Sequence, residues 1–107
     1  MKTGTFAGLA LSLLPLLAAA QPTDPQALLA RSLAATCANC HGTNGHAKGD
    51  MKPLAGMPAD KLLAMIADYK NGNQPATIMH QISKGYTDEQ MRLIANYFAA
   101  QQPAATR

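Results

Sequence analysis

Two cysteines and a histidine lie within the five residues Cys37-Ala38-Asn39-Cys40-His41, and their types and spacing allow them to do chemistry together. On a helical turn, thiols three residues apart face the same side, where both can add to the two vinyl groups of one porphyrin. The imidazole that follows has a ring nitrogen available to bind the porphyrin iron. The pattern therefore predicts one covalently attached haem c, with Cys37 and Cys40 as thioethers and His41 as an axial ligand.

Two other chemistries use a similar pair of cysteines. A thiol-redox site of the thioredoxin type also contains Cys-x-x-Cys, but it normally lies in a βαβ unit, and no strand pattern is visible here. A structural zinc site needs four nitrogen or sulfur ligands. Only His46 and His80 remain to complete one, and neither follows a finger-like spacing.

The second axial ligand decides between electron transfer and ligand chemistry, because an open iron site binds small molecules. The candidates are Met51, Met57, Met65, Met79, Met91, His46 and His80. Met65 and Met91 fall inside amphipathic helical patterns, where methionine usually fills the core. Met79 is favoured because it lies just before the last predicted helix, far enough from His41 for the chain to reach the opposite haem face. His80 is the next alternative. A thioether ligand raises the reduction potential, which suits single-electron transfer.

The start of the chain has the features of a secretory signal. Lys2 provides a positive charge, residues 6–17 are mostly apolar, and Ala18-Ala19-Ala20 provides small residues for cleavage before Gln21. A retained membrane anchor is the alternative, although the apolar run is shorter than the roughly 20 residues that span a bilayer. The prediction is a signal peptide over residues 1–20, a haem-carrying domain over residues 21–107 and a periplasmic location.

Composition supports a small domain built around a cofactor. The chain has no Trp, two Phe and three Tyr, so the porphyrin is expected to form the centre of the core and the apoprotein to be poorly folded. The chain has nine Lys and Arg residues, including Lys2, and six Asp and Glu residues. The basic residues do not form the concentrated stripe that nucleic-acid binding needs. The scattered lysines either cover a solvated surface or steer an acidic redox partner.

The pattern of apolar residues predicts helices only. The first helix starts at Asp24-Pro25 and ends by presenting the haem cysteines. Its predicted apolar stripe comprises Leu29, Leu33 and Cys37, with Ala30 and Ala34 beside it. A glycine-rich loop follows over residues 42–56. A second helix is predicted from Pro58 to about Lys70.

The last third of the chain contains a second haem-facing segment and a final helix. Residues 74–86 are predicted to be part loop and part short helix. Thr87 and Gln90 form a capping box for the last helix, which runs to about Gln101. Its predicted apolar stripe comprises Met91, Ile94, Ala95 and Phe98.

These residues resemble the class I c-type cytochromes over essentially the whole of residues 22–102. The matching segments are Cys-Ala-Asn-Cys-His-Gly, Leu54-Ala55-Gly56, Ile78-Met79, Thr87-Asp88-Glu89 and Asn96-Tyr97-Phe98-Ala99. The resemblance implies the small all-α class I fold, with three main helices and a short one around a covalent haem. It also implies His41 as the proximal ligand and Met79 as the distal one. Pro53 lies one place later in the sequence than in many members of this family. The resemblance therefore does not identify the residue whose backbone carbonyl orients the His41 ring.

A narrower resemblance links residues 77–86 to the cytochrome subunit of flavocytochrome c sulfide dehydrogenases. It implies a periplasmic electron-transfer subunit that accepts electrons from a sulfide-oxidising flavoprotein and is not itself the catalytic subunit. A freely diffusing cytochrome that serves an oxidase or reductase is the main alternative. A haem enzyme or gas sensor with a labile sixth ligand is a third, although only His80 could act as its acid or base.

Overall fold

The computed structural model describes Met1 and residues 24–105. Within these residues the regular secondary structure is entirely helical, and no strand is present. The helices are α1 (Pro25–His41), α2 (Ala59–Asn71), α3 (Met79–Ile82) and α4 (Asp88–Ala99), with 3₁₀ turns at Thr43–Gly45 and Ser83–Gly85. The predicted all-α fold with three main helices and a short one is confirmed. The predicted signal peptide lies outside the described residues, apart from Met1. None of the helices seen in residues 24–105 is long and apolar enough to cross a membrane.

The helix ends follow from local sequence. The Asp24 carboxylate accepts a hydrogen bond from the Gln26 amide at 3.0 Å, and proline occupies the first helical position of α1. Gly72 ends α2 in the left-handed conformation. Thr87 and Gln90 form the predicted capping box of α4, with bonds of 3.1 and 2.9 Å. Helix α4 ends at Ala99, two residues before the predicted end, so only its last boundary differs.

The core lies where α4 packs against α1 and α2. All four predicted stripe residues of α4 are buried, and they meet Ala34 of α1 with Leu62 and Ile66 of α2. The prediction for the start of α1 was wrong at Leu29, which is 50% exposed. Burial on α1 is centred on Ala34, so the first turns extend past the part of the helix that packs on the core.

The end of α4 holds the glycine-rich loop in place. The Gly56 amide donates to the Phe98 carbonyl at 2.9 Å. The Tyr97 hydroxyl donates to Asn44 Oδ1 at 2.6 Å, and His46 Nε2 donates to the Gln102 carbonyl at 2.7 Å. These bonds join the loop that follows His41 to the core.

Candidate haem site

Cys37, Cys40 and His41 all lie in the last turn and a half of α1. Their spacing places them on one side of the helix, as predicted. Cys37 is partly buried and packs against the core, Cys40 is exposed and His41 is partly buried. The two cysteines are not joined by a disulfide. The helix therefore presents two separate thiols and an imidazole from one short segment.

The two thiols have different environments. Burial raises the pKa of the Cys37 thiol. A neutral thiol can lie against apolar side chains without the cost of a buried charge. Cys37 is thus the inner of the two cysteines, while Cys40 faces solvent.

Gly42 allows the chain to turn sharply directly after His41. Its backbone has φ +82° and ψ 157°, a combination found essentially only in glycine. A Cβ at this position would lie 2.0 Å from the carbonyl oxygen of His46. The absence of a side chain at residue 42 is therefore what lets the backbone of His46 approach Gly42 so closely.

We expect Gly42→Ala to destabilise the protein more than Gly72→Ala. Both glycines end a helix with positive φ, but a Cβ at Gly72 would meet no atom of the described residues within 4 Å. Gly72→Ala should cost about 1–2 kcal/mol, the usual penalty for a Cβ in left-handed backbone. Gly42→Ala should cost a further ~1–3 kcal/mol, because the steric overlap requires the loop to move. Urea unfolding of the haem-loaded protein measures both values, and equal losses would contradict the close approach.

The carbonyl that orients His41 is that of Lys52. It lies 2.7 Å from His41 Nδ1, and since a carbonyl can only accept, Nδ1 carries the hydrogen. The other ring nitrogen, Nε2, then has a free electron pair, which is the form of histidine that binds iron. The amides of Leu54 and Ala55 donate to the Gly45 carbonyl at 2.9 and 3.2 Å and hold this part of the loop. Sequence reasoning missed Lys52 because a backbone carbonyl leaves no signal in residue type.

Met79 is the first residue of α3 and packs, partly buried, against the same core cluster as Cys37. Its carbonyl accepts a hydrogen bond of 2.6 Å from the hydroxyl of Ser83, which is fully buried. The core therefore contacts both the segment with the cysteines and the segment with the favoured methionine. Ser83 was not singled out from the sequence, although a serine four residues after a helix start often bonds back to that residue.

The other ligand candidates occupy different positions. Met91 is buried in α4 at 3% exposure and fills the core as predicted, whereas Met51 is 43% exposed. Met57 and Met65 are partly buried, and Met57 also packs against the core. His80, next to Met79, has a buried Nδ1 that finds no hydrogen-bond partner among the described residues. It therefore stays the main alternative to Met79.

The donor set at the end of α1 fits a covalently attached haem. It provides two thiols on one side of a turn and an imidazole whose Nδ1 bond to Lys52 leaves Nε2 for the iron. Thiols can add to the porphyrin vinyl groups, and an imidazole can bind the iron. The sequence profile of the cytochrome c family matches residues 29–102, which include this turn and Met79.

The chain belongs to the cytochrome c family. Members of this family carry haem c in covalent linkage, and the one Cys-x-x-Cys-His motif of this chain accounts for one haem. The predicted cofactor is thereby confirmed, and the thiol-redox and zinc interpretations of the cysteine pair are superseded.

Three relatives illustrate what this cytochrome is similar to. It is 38% identical over 66 residues to the cytochrome subunit of sulfide dehydrogenase of Chlorobaculum tepidum, covering 62% of this chain and 60% of that subunit. It is 34% identical over 71 residues to cytochrome c-554(548) of Halomonas halodenitrificans, covering 63% and 86% of the two chains. It is 34% identical over 67 residues to the thiosulfate dehydrogenase electron acceptor of Stutzerimonas stutzeri, covering 59% and 31%. The chain thus spans less than two thirds of two of these relatives.

Proposed function

We propose that this cytochrome is a periplasmic electron-transfer protein that accepts electrons from a sulfide-oxidising flavoprotein. In this proposal Cys37 and Cys40 form the thioethers, and His41 and Met79 are the axial ligands of a single haem c. The 38% identity to the cytochrome subunit of a sulfide dehydrogenase supports the proposal most directly. The chain is an electron-transfer subunit in this scheme, and the flavoprotein carries out sulfide oxidation. The signal-like residues 1–20 support export.

The bound haem supplies a one-electron couple between ferric and ferrous iron. The protein's own residues fix the surroundings of that couple. The Lys52 carbonyl holds the His41 ring in one tautomer and one orientation, so Nε2 is presented in a constant geometry. The Met79 thioether favours reduced iron and raises the potential, so the protein can accept electrons readily.

The surface near Met79 offers a contact for the flavoprotein. Ile78 directly precedes Met79 and is 57% exposed, which makes it the most exposed large apolar side chain within residues 24–105. Burial of an isoleucine in an interface removes apolar surface from water and is not weakened by salt. We propose that Ile78 contacts the partner protein.

We expect the cytochrome and its flavoprotein to co-purify at high salt, and we expect Ile78→Ser to weaken the complex about tenfold, in line with the loss of a buried isoleucine. Leu29→Ser is the matched control, because Leu29 is 50% exposed but lies in the first turns of α1. Titration of one protein with the other by calorimetry measures both affinities. Equal effects of the two substitutions would contradict a contact at Ile78.

The same pair of proteins tests the activity. On addition of sulfide, the flavoprotein should reduce the haem rapidly, whereas the cytochrome with sulfide alone should be reduced much more slowly. Stopped-flow absorbance of the haem distinguishes the two rates. If the flavoprotein brings no acceleration, the cytochrome is not its acceptor.

A freely diffusing shuttle is the second candidate function. The match to cytochrome c-554(548) extends over 86% of that protein. The name of that relative does not describe it as part of a dehydrogenase. Lys48, Lys52 and Lys84 are exposed and could guide an acidic partner. Isolation as a monomer whose electron exchange slows sharply with salt would favour this function over the dehydrogenase subunit.

A further inference from the structure

The Tyr86 side chain bridges the two segments that carry the proposed haem ligands. Its hydroxyl lies 2.6 Å from Oγ1 of Thr36, the residue directly before Cys37. The single hydroxyl hydrogen of Thr36 is donated to the Leu33 carbonyl at 2.7 Å. Tyr86 is therefore the donor in the contact between the hydroxyls, and this bond joins residues 50 positions apart in the chain.

The backbone of Tyr86 is held as well. Lys70, in the last turn of α2, donates to the Tyr86 carbonyl at 3.1 Å and forms an ion pair with Asp88 at 3.4 Å. At the other end of the same segment, Ser83 donates to the Met79 carbonyl. Residues 79–86 are thus attached internally by Ser83, to α2 by Lys70 and to α1 by the Tyr86 hydroxyl.

We propose that Tyr86 is a positioning residue for the methionine ligand, and that its hydrogen bond to Thr36 holds the Met79 segment against the haem-bearing turn of α1. This inference rests on the proposed role of Met79 as the axial ligand. Tyr86 acts through the backbone of its segment, so its effect is on how firmly Met79 is retained.

The binding affinity of an external ligand that replaces Met79 on the iron measures how firmly Met79 is retained. Imidazole can bind the ferric iron only when Met79 leaves it, so its apparent affinity depends on the balance between the two arrangements of the segment. A contact that stabilises only the methionine-bound arrangement lowers the apparent affinity for imidazole. Removal of that contact raises the apparent affinity by the same factor.

We expect Tyr86→Phe to bind imidazole about three- to tenfold more tightly than the wild-type ferric protein, the range expected for loss of one hydroxyl bond. The substitution removes only the hydroxyl and keeps the ring. Thr36→Val removes the other half of the pair and should give a similar shift. Since both changes break one bond, the double variant should bind imidazole no more tightly than the stronger single one.

Tyr97→Phe is the matched control. It removes a tyrosine hydroxyl that makes a bond of the same 2.6 Å length, to Asn44 in the glycine-rich loop, away from residues 79–86. Its imidazole affinity should equal that of the wild type, even though it loses a comparable hydrogen bond. If Tyr97→Phe shifts the affinity as much as Tyr86→Phe, the effect is one of general stability and the proposal is overturned.

The proposal is also overturned if both Tyr86→Phe and Thr36→Val bind imidazole like the wild type. The sulfur-to-iron absorption band of the oxidised protein separates this result from a failure of the proposed ligand. If the band is present in the wild type and lost in Met79→Ala, Met79 is the ligand and only the role of Tyr86 has failed. If the wild type lacks the band, the proposed ligation has failed and the role of Tyr86 fails with it.

Discussion

Replacement of both Cys37 and Cys40 by alanine should abolish covalent haem attachment. Each thioether joins one cysteine sulfur to one vinyl group of the porphyrin, so no covalent link is left in the double variant. The wild-type haem should stay with the polypeptide through acid–organic extraction, and the haem of the double variant should be extracted completely. Haem-stained denaturing gels and the mass of the intact chain measure the difference.

Asn39→Ala is the control for this experiment, since Asn39 is exposed and lies between the two cysteines on the same turn of α1. It should keep the full haem content. Without haem the double variant should also lose much of its helical circular dichroism, because the porphyrin is expected to form the centre of the core. If the wild-type haem is extracted freely, covalent attachment at these cysteines is wrong.

Replacement of Met79 by alanine should remove the sulfur-to-iron band in the red region of the oxidised spectrum. It should also lower the reduction potential on the order of 0.2 V, within the range of ~0.8 V that axial ligands span. The reason is that a thioether stabilises reduced iron, and water or another donor in its place does so less well. Absorption spectroscopy and a redox titration give the two values.

The other methionines provide the controls. Met51→Ala is the cleanest, because Met51 is 43% exposed and its loss leaves no cavity. Met57→Ala, Met65→Ala and Met91→Ala should keep the band as well, although Met91 is buried and its truncation should cost about 2–5 kcal/mol of stability. A wild-type spectrum typical of two histidine ligands would instead assign the second position to His80.

The helices of this cytochrome were largely predictable because short-range chemistry determines them. The capping carboxylate of Asp24, the left-handed Gly72 and the capping box of Thr87 and Gln90 each act within four residues. The apolar stripe of α4 repeats with the helical period and is buried as predicted. Two predictions were wrong: Leu29 is exposed, and α4 ends at Ala99. Both concern how far packing extends along a helix. Periodicity carries no information on that extent.

The attachment turn at Cys37, Cys40 and His41 was determined by the sequence itself, since three residues on one helical turn are neighbours in any fold that keeps the helix. Only the tertiary structure decided what surrounds that turn. The carbonyl that is hydrogen-bonded to the His41 ring belongs to Lys52. The hydroxyl that is hydrogen-bonded to Thr36 belongs to Tyr86, 50 residues away. Such partners depend on the path of the loops and on how the helices pack. A carbonyl or a hydroxyl can bond to any donor or acceptor that the fold brings within about 3 Å, so residue types alone do not specify the pair.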